Sequence, residues 1–131
     1  MSKYEAVFGS ALVIASFFLF KFLNCVNPLI VAIATPLIAL VHEVLHVVAL
    51  RILGLRYKFT FTGTKIGFLV QFSKRRDYVV CALFPQVLTI VLLVSSFLLA
   101  RELLVVALIH VAMSAHDIFK SFGYLIYDRR A

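Results

Sequence analysis

Apolar positions along this chain gather into four long blocks, 6–23, 27–53, 78–100 and 103–127, each close to the roughly 20 residues that carry a helix across a bilayer. Asn27-Pro28 opens the second block with a side-chain cap and a proline at the first helical position, and Gly54 closes it with Arg51 in its last turn. That block is longer than a straight crossing needs. It therefore tilts or kinks, and Pro36, which removes the bond to the Ala32 carbonyl, supplies the kink. Between the second and third blocks the period changes from helical to two. Tyr57-Lys-Phe-Thr-Phe-Thr62 alternates aromatic and polar residues, Thr62 to Lys65 reads as a turn, and Ile66 to Phe72 as a second strand. The pattern predicts a membrane all-α fold with a small β-hairpin at about 57–72, set between helices 2 and 3 of four transmembrane helices. Residues 1–131 form a single integral membrane domain.

Composition agrees. The chain is 63% hydrophobic and 15% charged, where a soluble domain carries about a quarter charged residues. Its net charge of +7 would suggest nucleic acid in a soluble protein. Here the basic residues cluster at the ends of apolar blocks, with no basic stripe interleaved with exposed aromatics, and nucleic acid is excluded as a partner. The blocks sort them unevenly. Lys3, Arg51, Arg56, Lys58, Lys65, Lys74, Arg75, Arg76, Lys120, Arg129 and Arg130 fall on one face, and only Lys21 and Arg101 on the other. The positive-inside rule makes the first face, and both termini, cytoplasmic. The first block is longer than a secretory h-region and lacks a small-x-small cleavage site after it, so it is expected to be a retained span. Cys25 and Cys81 fall near opposite faces, too far apart to bridge, and read as small apolar filler.

Three ionisable side chains interrupt the second block as His42-Glu43-Val44-Leu45-His46. Histidines four apart share one helical face and can reach one metal ion, and the adjacent glutamate can deprotonate a water activated by it. Such residues inside a span are costly and by default functional. A catalytic zinc takes a third protein ligand, for which the fourth block offers His110, His116 and Asp117. His42 and His46 lie roughly 10–16 Å from the cytoplasmic end of their block, and Asp117 roughly 15 Å from the end of its own, at about 1.5 Å per residue. The two blocks run in the same direction, and Asp117 is the choice, with an ion pair to Lys120 as its blander role. His110 shares the face of Asp117 but lies deeper, as an outer partner or a plain packed histidine. His116, turned about 100° from Asp117, is an outer or oxyanion candidate. Gln86 is a candidate for bonding substrate backbone, or for helix packing.

The H-E-x-x-H in a membrane helix followed by a distal Asp117 resembles the site-2 protease class of intramembrane zinc metalloproteases. More closely, Ser114-Ala-His-Asp-Ile118 after the H-E-x-x-H helix, a hairpin and a Pro85-bearing block is similar to a family of small predicted zincin membrane peptidases. The likeness runs from Asn27 to Tyr127. Site-2 proteases carry Leu-Asp-Gly at the third ligand where this chain has His116-Asp117-Ile118, and there is no room for their peptide-binding accessory domain. Residues and resemblance together lead to an intramembrane zinc metalloendopeptidase acting on transmembrane or membrane-proximal segments of a protein substrate. Its ligands to Zn²⁺ are His42, His46 and Asp117, and Glu43 is its general base. The alternative is a non-proteolytic metal-binding membrane protein, a transporter or sensor, which needs the ligands but not Glu43.

Overall fold

The computed structural model describes residues 3–22, 27–62 and 65–127. The order is α1 (Lys3–Phe22), α2 (Pro28–Ile52), β1 (Tyr57–Thr62), β2 (Lys65–Val70), α3 (Arg75–Leu83), α4 (Gln86–Leu98), α5 (Glu102–Met113) and α6 (Ala115–Tyr127). The expected turn at 24–26, Cys25, the hairpin turn at 63–64 and the basic tail at 128–131 lie outside the described residues.

α2 starts and stops where its sequence directs. The Asn27 side chain accepts from the Leu29 amide at 3.0 Å, with Pro28 at the first helical position. At the other end Gly54 takes φ +66°, while Leu55 N–H reaches the Leu50 carbonyl and Gly54 N–H the Arg51 carbonyl. That pair of bonds is a Schellman stop, which needs the left-handed conformation glycine adopts freely. Leu50 and Leu55 then share one apolar cluster.

The hairpin forms as an antiparallel pair with Tyr57 opposite Val70 and Phe59 opposite Phe68. Its ladder ends at Val70, two residues short of the expected 72. Tyr57 and Val70 pack with Phe72 against Ala49, Leu50 and Cys81, which docks the hairpin on the end of α2.

The third block makes one candidate span, Arg75 to Leu98 against the expected 78–100, in which α3 and α4 meet at a turn over Phe84 and Pro85. A further expectation, of one helix over the fourth block, is corrected. The fourth block is two helices bent by 55°. The bend falls at Ser114, whose hydroxyl donates to the carbonyls of His110 (3.0 Å) and Val111 (3.2 Å). A serine bonding back into the preceding turn diverts the helical ladder and bends the axis. By length and hydropathy α2 and the α3–α4 pair can each cross a bilayer, the α5–α6 pair makes a third span if its two parts count as one, and the apolar part of α1, Ala6–Phe18, is shorter.

α5 is the central post, packed against α1, α2 and α4. Its Val106 and Ala107 join Leu92 of α4 in a core that Val31, Ala34 and Ile38 of α2 close from the side. The Asn27 amide donates to Glu102 Oε1 at 3.2 Å, so α2 and α5 begin at the same level. At the far end Tyr78 of α3 stacks edge-on with Tyr124 of α6.

Candidate metal centre

The inward stripe of α2 reads Val31, Ala34, Ile38, His42, His46, Ala49 and Leu53, in helical steps of three and four, with Leu50 beside Ala49. Its upper members belong to the core around α5 and its lower members to the core under the hairpin. The two histidines sit between these layers, which hold their helix at both ends.

Asp117, in the first turn of α6, completes a cluster with them. His42 is buried, and His46 and Asp117 are partly so. The Nε2 atoms of His42 and His46 are 3.0 Å apart, and Asp117 Oδ2 lies 3.7 Å from the first and 3.5 Å from the second. An ion held tetrahedrally by N and O donors at about 2.0–2.1 Å sets those donors about 3.3–3.4 Å apart. The three separations bracket that spacing. The donor chemistry fits as well: two imidazoles and a carboxylate make a zinc set with coordination left for water.

The rings are oriented from outside. His46 Nδ1 lies 2.9 Å from the Cys81 carbonyl, which can only accept, so Nδ1 carries the proton and Nε2 presents a lone pair to the cluster. Cys81 can spare that carbonyl because the residue four positions on is Pro85, which has no N–H to bond it. His42 Nδ1 lies 2.9 Å from Nε2 of His110, which is fully buried. His110 Nδ1 is in turn 2.7 Å from the Thr89 hydroxyl, which donates to Gln86 Oε1 at 3.0 Å.

The structure thus brings His42, His46 and Asp117 into one cluster, with His110 against His42 and Gln86 two contacts further out. It leaves His116 elsewhere. That side chain is exposed and lines a groove of about 480 Å³ between α1 and the α5–α6 junction, beside Gly9, Val13 and Met113. Asp117 turns to the histidines, while the Lys120 ammonium lies 5.1 Å over the Tyr78 ring. Glu43 follows His42 on α2 and is exposed. Thr89 and the Cys81 carbonyl were not anticipated. Thr89 carries no sequence signal, but a proline four residues after a carbonyl marks that carbonyl as free, and Pro85 could have pointed to Cys81.

A histidine pair one turn apart on an apolar helix, met by a carboxylate from a later helix, is a group that could hold a metal ion. The chain belongs to the family described as "Putative zincin peptidase", whose model matches residues 35–130 and so covers every member of the cluster. No curated protein and no solved structure matches it. Membership implies zinc as the ion and suggests a metallopeptidase.

Proposed function

We propose that this protein is an intramembrane zinc endopeptidase that cuts transmembrane or membrane-proximal segments of a membrane protein substrate. The observation that carries the reading is the convergence of His42, His46 and Asp117 within 4.8 Å of one another, one residue from Glu43, in a frame whose outer faces are apolar. His42, His46 and Asp117 hold the ion. Zinc, when bound, supplies a Lewis acid that polarises the scissile carbonyl and makes a water acidic enough to attack near neutral pH. Glu43 accepts the proton of the attacking water and delivers it to the departing amine. The Cys81 carbonyl and the His110 ring keep both imidazoles aimed inward through that cycle.

The setting favours an apolar substrate. Leu40, Val41 and Val44 flank Glu43 and are exposed, so a segment approaching the general base meets a greasy surface. A helical substrate hides its peptide bonds and must unwind locally, and the hairpin edge offers an extended chain a strand to pair with. The proposed topology has four spans, α1, α2, α3–α4 and α5–α6, with both termini cytoplasmic.

The test is metal content and cleavage for the protein purified in mild detergent. Wild type is expected to carry zinc, and His46→Ala and Asp117→Ala to lose it. Glu43→Gln is expected to keep the metal and lose cleavage of a membrane-segment substrate by roughly 100-fold or more. Full metal occupancy in Asp117→Ala would remove the third ligand from the scheme. Undiminished cleavage by Glu43→Gln would end the peptidase mechanism.

A further inference from the structure

We propose that His110, Thr89 and Gln86 are positioning residues, a hydrogen-bond relay that locks His42 in its metal-binding tautomer and so sets the affinity of the centre. The inference rests on the reading of His42 as a ligand and adds how that ligand is tuned.

Proton counting gives the relay its direction. A threonine hydroxyl has one proton, and Thr89 gives it to Gln86 Oε1. At 2.7 Å from His110 Nδ1 the same oxygen must therefore accept, which puts the single proton of a neutral His110 on Nδ1. His110 Nε2 then carries a lone pair, and His42 Nδ1–H donates to it across 2.9 Å. His42 is left with a bare Nε2 facing His46 and Asp117. Every link depends on the one before. The opposite direction requires the Gln86 amide turned over, the His110 proton on Nε2 and the His42 proton on its own Nε2, where it closes that nitrogen to a metal.

Burial makes the relay strict. His110 is fully buried and Thr89 nearly so, and no described side chain other than the relay's own meets their polar atoms. An unmade bond in such a place is costly. Gln86 Nε2 is buried and meets no partner among the described residues, while Oε1 is engaged. In this orientation the Gln86 oxygen is the acceptor that ends the relay.

The relay also shows what the break at Phe84 and Pro85 accomplishes. Upstream of it the Cys81 carbonyl takes the His46 proton. Downstream, Gln86 and Thr89 occupy the first turn of α4 and act on His42 through α5. One interruption in one helix orients both histidine ligands. Outer partners of metal-bound histidines are typically worth about 10–100-fold in metal affinity.

The experiment is zinc competition against a chromophoric chelator for the full chain in mild detergent. Thr89→Val keeps the side-chain shape and removes the hydroxyl, Thr89→Ser keeps the hydroxyl, and Gln86→Met removes the terminal acceptor. Thr89→Val and Gln86→Met are expected to weaken zinc binding by about 10–100-fold, with Thr89→Ser close to wild type. A purely packing role would give the reverse order for Val and Ser. Nitrogen-15 imidazole spectra of the zinc-loaded wild type are expected to show the His110 proton on Nδ1, and they need no variant to fold. Wild-type affinity in both Thr89→Val and Gln86→Met, or a His110 proton on Nε2, would overturn the relay. Wild type that binds no zinc would instead bring down the metal reading on which the relay stands.

Discussion

At position 85 the missing amide hydrogen of proline leaves the Cys81 carbonyl without its helical donor, and the His46 ring supplies the replacement. Proline inside a helix costs about 3 kcal/mol or more relative to alanine, so its use here trades helix continuity for a ligand anchor. In Pro85→Ala the restored N–H competes for the carbonyl while the lost bulk leaves a small void. Helix content by circular dichroism is expected to rise, and zinc affinity to fall by about tenfold. Unchanged affinity beside a continuous helix would show that His46 needs no such anchor. At this scale the histidine pair and its glutamate were legible, because a helix places positions four apart on one face whatever surrounds it. His110, left between an outer role and plain packing, became the neighbour of His42 only through the approach of α5. Thr89 was invisible, since a threonine in an apolar run has the same sequence signature whether or not it bonds anything.

Among the elements, the α5–α6 bend decides whether the third ligand arrives. His110 lies just before it and Asp117 just after it, seven residues apart on one helical face, and both meet the histidines of α2 across the 55° turn at Ser114. The hydroxyl that turns it bonds back to the His110 and Val111 carbonyls. Ser114→Ala removes those bonds and is expected to straighten the junction, carrying Asp117 away and lowering zinc affinity by about tenfold or more. Ser114→Thr keeps the hydroxyl and should keep the metal. Spin-label distances between α2 and α6 read the bend directly, and an unchanged distance in Ser114→Ala would place its origin elsewhere. The sequence predicted one unbroken helix here because an isolated serine in a hydrophobic run is compatible with helix. Only the carbonyl it chooses separates the two outcomes.

For the whole molecule, the outer faces of α2 and α4 carry Leu29, Ile33, Leu37, Leu40, Val87, Ile90, Val91 and Val94 in the open, apolar surface suited to lipid. The Asn27–Glu102 bond gathers two helix starts at one level, and Tyr78 with Tyr124 joins the opposite ends of α3 and α6 near Lys120. Lys120 of α6 thus lies beside the start of α3, which follows the hairpin. After replacing Cys25 and Cys81, a membrane-impermeant maleimide applied to intact cells is expected to label Ala100→Cys and to reach Ser73→Cys only after permeabilisation. The opposite pattern would invert the proposed orientation. Cys81→Ala keeps the carbonyl that meets His46 Nδ1 and removes only the long Sγ contact to the His46 carbonyl at 3.9 Å, so the centre is expected to keep its metal.

Sequence alone determined the apolar blocks, the hairpin, the cap and stop of α2, and the H-E-x-x-H face. These are local outcomes of propensity and period, settled within a few residues of where they are written. Asp117 was reached by counting rise along two helices taken as straight and parallel, which matched its depth to that of the histidines but not the 55° bend that precedes it. Tertiary structure alone decided the rest: the turn at Pro85, the bend at Ser114, the exclusion of His116, and the chain of partners from Gln86 to His42. Those depend on which donor meets which acceptor across separate helices, and hydrogen bonds of that reach have no period to read.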